Sequence, residues 1–139
     1  MKKAAGAAKT NAARMLERAG IRYELLEYEV DVGDMSAPQV AQAIGLPPEQ
    51  VFKTLVVRGD HSGVLLAVIQ GNAELDLMAL AAASGNKKVE LVPVKDILGL
   101  TGYVRGGVSP VGTRKAYPVY LDSSADRGAG LWPATPMAA

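Results

Sequence analysis

Length, composition and charge narrow the class of protein before any motif is considered. The chain has 139 residues, 49% hydrophobic and 21% charged, which fits one soluble globular domain with a sizeable core. The chain has no cysteine and one histidine, His61, which excludes disulfides, thiolate catalysis and zinc sites built on Cys and His, and disfavours a Ser-His-Asp triad. The net charge of +1 gives no global sign of nucleic-acid binding.

The amino terminus imitates a signal peptide only briefly, because Lys9 interrupts its apolar stretch. No run of about 18 apolar residues is present for a membrane span. We therefore expect a cytoplasmic protein that does not associate with membranes. Short basic clusters exist at Arg14 and Arg18, at Lys87-Lys88 and at Arg114-Lys115, and for each a solvated surface is favoured over an RNA contact.

The first third of the chain predicts two helices and a strand. The first helix runs from an N-cap at Thr10 to a stop at Gly20 and buries Ala12, Leu16 and Ala19. Alternating apolar residues then predict a strand from Ile21 to Tyr28. The next helix opens at a capping box on Ser36 and ends at Gly45.

The rest of the chain predicts a hairpin followed by shorter elements. Strands from Val51 to Arg58 and from Val64 to Gln70 flank a turn that places His61 in solvent. Further on we expect a helix from an N-cap at Asp76 to Gly85, a strand over Val89–Val92, a turn of helix ending near Gly99, and a strand over Tyr117–Asp122. This order predicts an α+β fold with a curved, partly closed sheet.

Lys53 is the unusual residue of the first hairpin strand. It interrupts an apolar run and, by strand alternation, points the same way as Val51, Leu55 and Val57. An ammonium on such a face is costly unless an anion meets it. The partner is either an internal carboxylate or a ligand.

The segment from Gly102 to Gly112 is the second unusual feature. Its glycines, which stand close to Pro110, allow positive φ angles and close approach of the backbone to a ligand, and exposed N–H groups there can hold an oxyanion. A plain tight turn is the commoner reading of such a segment. The pairing with Lys53 favours a site for an anionic or carbonyl-bearing ligand.

The motifs around these residues resemble one known family. They are Tyr28, Val51-Phe52-Lys53-Thr54-Leu55, Leu75-Asp76-Leu77, Lys87-Lys88-Val89-Glu90, and Thr101-Gly102-Tyr103 leading to Gly106-Gly107-Val108-Ser109-Pro110-Val111-Gly112. Over residues 10 to 122 the chain is similar to the YbaK family of aminoacyl-tRNA deacylases. The resemblance implies a single domain over residues 1–139, with a mixed, barrel-like sheet surrounded by helices.

The activity implied by the resemblance is trans-editing, in which mischarged Cys-tRNA(Pro) is deacylated without cofactor or metal. The family is related to the editing domain of bacterial prolyl-tRNA synthetases, which makes a synthetase a candidate partner of a monomer or weak dimer. By position, the resemblance implies catalytic roles for Lys53, Tyr28 and Gly106. It implies substrate binding by Thr54, Gly107, Ser109 and Pro110. In this family the thiol of the substrate is thought to attack the ester and leave as a thiolactone.

The carboxyl-terminal part departs from the family pattern. Family members carry a further strand and an active-site aspartate, whereas here an atypical Gly-, Pro- and Ala-rich tail follows from about Ser123, and Asp122 and Asp126 lie too early for that role. This departure predicts a truncated or divergent carboxyl-terminal part. Two alternatives therefore stay open: deacylation of another mischarged tRNA such as Ala-tRNA(Pro), and a non-catalytic module that binds aminoacyl-tRNA or a nucleotide.

Overall fold

The computed structural model describes residues 11–24, 41–42, 45–105 and 107–126. Within them the elements in chain order are α1 (Asn11–Arg18), a 3-10 turn (Pro48–Gln50), β1 (Phe52–Gly59), β2 (Gly63–Gln70), α2 (Leu77–Ser84), β3 (Val89–Leu91), α3 (Val94–Thr101), β4 (Val119–Leu121) and a second 3-10 turn (Ser123–Asp126). This mixture of helices and strands confirms the predicted α+β class.

The strands form one mixed sheet in the order β3-β1-β2-β4. β1 pairs antiparallel with β2 from Phe52↔Gln70 to Gly59↔Gly63 and antiparallel with β3, while β4 runs parallel to β2. The expected barrel-like closure is not found within the described residues. The sheet stays open there because β3 and β4 are three residues each and lie at opposite edges.

Both faces of the central hairpin are covered. On one face Val57 of β1 packs with Leu65 and Ala67 of β2 and with Leu80 and Ala81 of α2. The other face buries a second cluster, formed by Val56, Leu66, Val92, Ile97 and Val108. A strand buried on both faces reads as a continuous apolar run, which explains the composition of β1 and β2.

The helix boundaries follow local capping chemistry. α2 begins where Asp76 Oδ1 accepts a hydrogen bond from the Ala79 N–H at 3.0 Å and ends at Gly85 with φ +74°, as the sequence predicts. α3 extends past the predicted stop at Gly99, because the Thr101 hydroxyl donates to the Ile97 carbonyl oxygen at 2.8 Å and Gly102, with φ +82°, supplies the C-cap.

The amino-terminal predictions are confirmed only in part. α1 buries Ala12 and ends before Gly20, but Leu16 is half-buried and the predicted burial of Ala19 is wrong because that residue is exposed. Residues 21–24 form no strand, so the predicted strand does not begin at Ile21, and its remainder lies outside the described residues. The predicted helix end at Gly45 is confirmed by its φ of +75°, while Ser36 lies outside them.

One buried amide ties the hairpin turn to the end of α2. Asn86, 8% exposed, accepts through Oδ1 from the N–H groups of His61 and Ser62, each at 2.9 Å. Its Nδ2 donates to the hydroxyls of Ser62 at 3.0 Å and Ser84 at 2.8 Å. The turn therefore depends on a side chain 24 residues away in sequence. His61 itself is solvated, with 60% of its side chain exposed, as predicted.

We expect Asn86→Ala to destabilise the protein by about 2 to 3 kcal/mol, because the N–H groups of His61 and Ser62 lose their acceptor and the hydroxyls of Ser62 and Ser84 each lose a donor. Urea unfolding followed by circular dichroism measures this loss. The control is Asn72→Ala, since exposed Asn72 makes a single side-chain bond, to Glu49. Equal destabilisation by the two variants would contradict the role assigned to Asn86.

Candidate active site

Lys53 lies near the start of β1, opposite Ile69 of β2. Strand alternation places it on the face of Leu55 and Val57, the face that α2 covers further along the strand. The side chain is half-buried, and within the described residues no carboxylate lies at ion-pair distance from it. The sequence leaves two possible partners for the Lys53 ammonium, an internal carboxylate or a ligand. The described part of the chain provides no such carboxylate.

Thr54 is the next residue and points to the opposite face. It pairs with Val68 and shares its face with Val56, which packs against Val108 of the glycine-rich loop. Thr54 is 8% exposed, yet its hydroxyl has no hydrogen-bond partner in the described structure. Leaving a buried hydroxyl unpaired costs about 1 to 3 kcal/mol. Such a cost at one position marks Thr54 as a residue whose partner is supplied from outside the described structure.

The edge of β1 at these two residues is unpaired among the described strands. β3 pairs only with Val57–Gly59, and one further bond joins the Val92 N–H to the Val56 carbonyl at 2.9 Å. Since backbone groups alternate in direction along a strand, the N–H and C=O of Thr54 point to the same edge as the Val56 carbonyl. At this edge the described strands therefore leave the backbone N–H and C=O of Thr54 without a partner, while its hydroxyl is buried.

The glycine-rich loop uses part of its backbone for its own folding. The Gly107 N–H donates to the Val104 carbonyl at 2.9 Å, and the Val111 N–H donates to the Ser109 hydroxyl at 3.1 Å. Ser109 is 4% exposed, Gly107 is buried, and Pro110 is half-buried. For the N–H groups of Val108 and Ser109 the described residues provide no acceptor. Among the buried residues of the loop, these two N–H groups, unlike that of Gly107, are therefore the donors without an acceptor in the described part of the chain.

Tyr103 anchors this loop to α1. Its hydroxyl donates to the Val111 carbonyl at 2.9 Å and accepts from the Ala12 N–H at the start of α1. Gly112, with φ +80°, packs so closely here that a Cβ would lie 2.7 Å from the Ala12 nitrogen and 2.9 Å from the Tyr103 hydroxyl. The sequence assigns Tyr103 no role, although Thr101-Gly102-Tyr103 is part of the matched motif.

The predicted site residues are therefore only partly brought together. Lys53 and Thr54 are adjacent but on opposite faces, and Ser109 and Pro110 lie on the loop that packs over the face of Thr54. Tyr28 and Gly106, predicted to be catalytic, lie outside the described residues. No group of three His, Cys, Asp or Glu side chains placed to hold a metal ion occurs in the described ranges.

Comparison with known proteins identifies the family. A model of the aminoacyl-tRNA editing domain matches residues 33–134. The chain is 47% identical over 119 residues to a candidate Cys-tRNA(Pro)/Cys-tRNA(Cys) deacylase, EbsC of Enterococcus faecalis, covering 86% of this chain and 73% of that protein. It is 29% identical to a proline–tRNA ligase of Shouchella clausii over 70% of this chain, but only 17% of the ligase.

A solved structure agrees with these sequence matches. The crystal structure of a candidate trans-editing enzyme for prolyl tRNA synthetase superposes with a TM-score of 0.69 at 30% identity, covering 84% of this chain and 74% of that one. The chain belongs to the aminoacyl-tRNA editing domain family. This confirms the resemblance drawn from the motifs and, with it, the enzyme class of aminoacyl-tRNA deacylases. None of the helices among the described residues is long and apolar enough to cross a membrane.

Burial raises the pKa of the Tyr103 hydroxyl, although the Ala12 N–H and the Arg14 charge each act to lower it. Because the pKa of Tyr103 is raised on folding, its contribution to the free energy of unfolding is fully present below the ordinary tyrosine pKa of about 10. That contribution is lost as the pH rises through the pKa of Tyr103 in the folded protein. We expect Tyr103→Phe to lose about 1 kcal/mol at neutral pH and to remove this alkaline decline. Urea unfolding between neutral pH and roughly pH 10.5 measures both effects.

Tyr117→Phe is the matched control, because the Tyr117 hydroxyl donates to a carbonyl of α3, that of Leu100 at 2.7 Å. It should lose stability at neutral pH and keep the alkaline decline of the wild type. An unchanged alkaline decline in Tyr103→Phe would show that Tyr103 is not the group responsible.

Proposed function

We propose that this protein is a trans-editing aminoacyl-tRNA deacylase whose substrate is Cys-tRNA(Pro). The observation that carries the proposal is the 47% identity, over 86% of the chain, to a candidate deacylase for cysteinyl-tRNAs. The relation to the editing domain of proline–tRNA ligases supports tRNA(Pro) as the tRNA and a prolyl-tRNA synthetase as the partner in charging. Such an enzyme acts where tRNA is charged, so its proposed location is the cytoplasm.

The side chains present suit a reaction in which the substrate supplies the nucleophile. The chain has no cysteine, and its one histidine is exposed in a turn that the site does not contact. In the proposed reaction the cysteine thiol attacks its own ester carbonyl, forming a C–S bond. The C–O bond to the terminal ribose breaks, and the ribose oxygen takes the proton. The thiolactone that leaves is opened by water in solution.

The proposed role of the protein is to orient the ester and to stabilise the negative charge that develops on its carbonyl oxygen. The free N–H groups of Val108 and Ser109 support an oxyanion role for this loop, together with Gly106, which directly precedes Gly107. Lys53 starts on the other face, but its flexible stem can pass over the unpaired edge of β1. There it would meet the aminoacyl group or the terminal adenosine, with Tyr28 as a further contact.

Thr54 has the proposed role of binding the substrate at the same edge. Its hydroxyl is buried and unpaired, and its backbone groups point away from β2. A substrate hydroxyl, amine or ester oxygen would satisfy these groups and so be bound more tightly than an apolar group. Ser109, Gly107 and Pro110 would shape the wall of the site on the loop side.

We expect the purified protein to deacylate Cys-tRNA(Pro) faster than Pro-tRNA(Pro) or Ala-tRNA(Pro), because only cysteine carries a thiol that can attack its own ester. Release of radiolabelled amino acid from the three charged tRNAs measures this preference, and Lys53→Ala is the expected inactive variant. Faster release of alanine than of cysteine would indicate that Ala-tRNA(Pro) is the substrate. Release from all three charged tRNAs at the rate seen in buffer alone would refute the deacylase activity and support a non-catalytic binding module.

We expect Thr54→Val to lower kcat/KM for Cys-tRNA(Pro) by roughly tenfold or more, through the loss of one hydrogen bond to the substrate. The same change should leave stability unchanged or raise it by about 1 kcal/mol, because it removes a buried unpaired hydroxyl. Thermal unfolding and deacylation kinetics give the two values.

Thr101→Val is the matched control, since the Thr101 hydroxyl is 2.8 Å from the Ile97 carbonyl and bonded to Tyr103 as well. This control should lose about 1 to 3 kcal/mol of stability. A Thr54→Val protein that is destabilised to the same degree and fully active would show that the Thr54 hydroxyl is structural.

A further inference from the structure

The basic residues near the glycine-rich loop are not balanced by acidic ones in the same segment. Residues 97–121 contain no aspartate or glutamate, whereas the whole chain has 14 acidic and 15 basic residues. Three cations, Arg105, Arg114 and Lys115, lie in this segment, and all three are exposed. The near-neutral total therefore conceals a local excess of positive charge around the loop.

The packing of α1 brings two more cations to this region. The Ala12 N–H bonds the Tyr103 hydroxyl, and the Arg14 charge is close enough to act on the Tyr103 pKa. One turn further along, Arg18 is on the same face of α1, about 6 Å away along the axis. Both arginines are exposed.

On the other side of Tyr103, the Arg114 side chain lies beside Gly102, where a Cβ would be 3.6 Å from the Arg114 Nε. The Arg114 N–H donates to the Thr101 carbonyl at 3.0 Å, which fixes the backbone from which this side chain extends. Arg14 and Arg114 thus approach the pair Gly102–Tyr103 from two elements that are about a hundred residues apart in sequence.

We propose that these five residues, Arg14, Arg18, Arg105, Arg114 and Lys115, form a surface that binds the phosphate backbone of the tRNA acceptor stem. We call it the α1–loop surface. The inference rests on the proposed function and adds the part of the protein that meets the nucleic acid. Guanidinium groups suit this role because their planar donors match phosphate oxygens in pairs.

The position of the surface fits the reaction proposed for the loop. Gly102–Tyr103 leads directly into the segment whose Val108 and Ser109 N–H groups are free for the ester. A tRNA whose terminal ester reaches these groups places the phosphates of its unpaired 3′ end next to the loop and those of its last base pairs beyond them, on the side where we place the α1–loop surface. The Lys87-Lys88 cluster is a weaker candidate, because Asp60 accepts both of their N–H groups and Glu90 follows at once.

The test compares two double variants that remove the same charge. Arg14→Gln with Arg114→Gln changes the α1–loop surface, and Lys87→Gln with Lys88→Gln is the matched control. Fluorescence anisotropy measures the binding of an uncharged prolyl acceptor-stem minihelix between roughly 50 and 200 mM salt. The arginine variant should bind at least tenfold more weakly at the lower salt. Its slope of log K against log salt should fall by about 2, since each phosphate contact contributes roughly 0.9 on a duplex.

The control variant should change the affinity by less than twofold. On Cys-tRNA(Pro), the arginine variant should lose at least ten times more kcat/KM than on the 3′-cysteinyl ester of adenosine, which has no stem. Equal weakening in the two double variants would overturn the proposal in favour of unspecific attraction. Unchanged minihelix binding in the arginine variant would overturn it as well and would assign the surface to an acidic protein partner.

Failure of this proposal is distinguishable from failure of the proposed function. Binding of the uncharged minihelix requires no catalysis. If the wild-type protein binds the minihelix as described but releases no amino acid, the proposed surface stands and the proposed activity is refuted. If the wild-type protein deacylates Cys-tRNA(Pro) and the arginine variant binds the minihelix normally, the proposed activity stands and the proposed surface is refuted.

Discussion

The burial of β1 on both faces is the constraint on which the rest of the structure depends. Because β1 lies between β3 and β2 and is covered by α2 on one side and by α3 and the loop on the other, successive residues of β1 enter different layers. Lys53 and Thr54 are therefore separated by the sheet although they are adjacent in sequence. In the proposed function, a substrate contacted by both reaches them at the edge of β1 that the described strands leave unpaired.

Alternation and capping made much of the fold predictable. The hairpin of β1 and β2, the N-cap at Asp76 and the stop at Gly85 each follow from residues within a few positions of the feature they determine. The sequence predicts α3 too short because Gly99 is taken as its stop, whereas the Thr101 hydroxyl bonds the Ile97 and Tyr103 carbonyls and Gly102 provides the C-cap. The strand expected from Ile21 is an error of the opposite kind. Residues 21–24 have an alternating apolar pattern but form no strand.

The candidate site was predictable in composition and not in arrangement. Lys53 and the glycine-rich loop are recognisable in the sequence because both lower stability. A cation in an apolar run loses hydration, and clustered glycines lose conformational entropy on folding. Neither feature reveals that the hydroxyl of Thr54 is unpaired, that the Gly107 N–H is used within the loop, or that Tyr103 joins the loop to α1. The first and third of these facts depend on contacts between residues distant in sequence, and the second depends on the local conformation of the loop.

The loop has two structural requirements that act in opposite directions. Free N–H groups at Val108 and Ser109 leave the loop with fewer internal bonds, so its position has to be maintained from outside. The Ala12 N–H, which bonds to the Tyr103 hydroxyl, and the close contact between Gly112 and the start of α1 provide that support without using the free donors. α1, which carries none of the residues predicted to be catalytic, thereby becomes part of the site: it holds the loop, and its exposed face carries the arginines beside it.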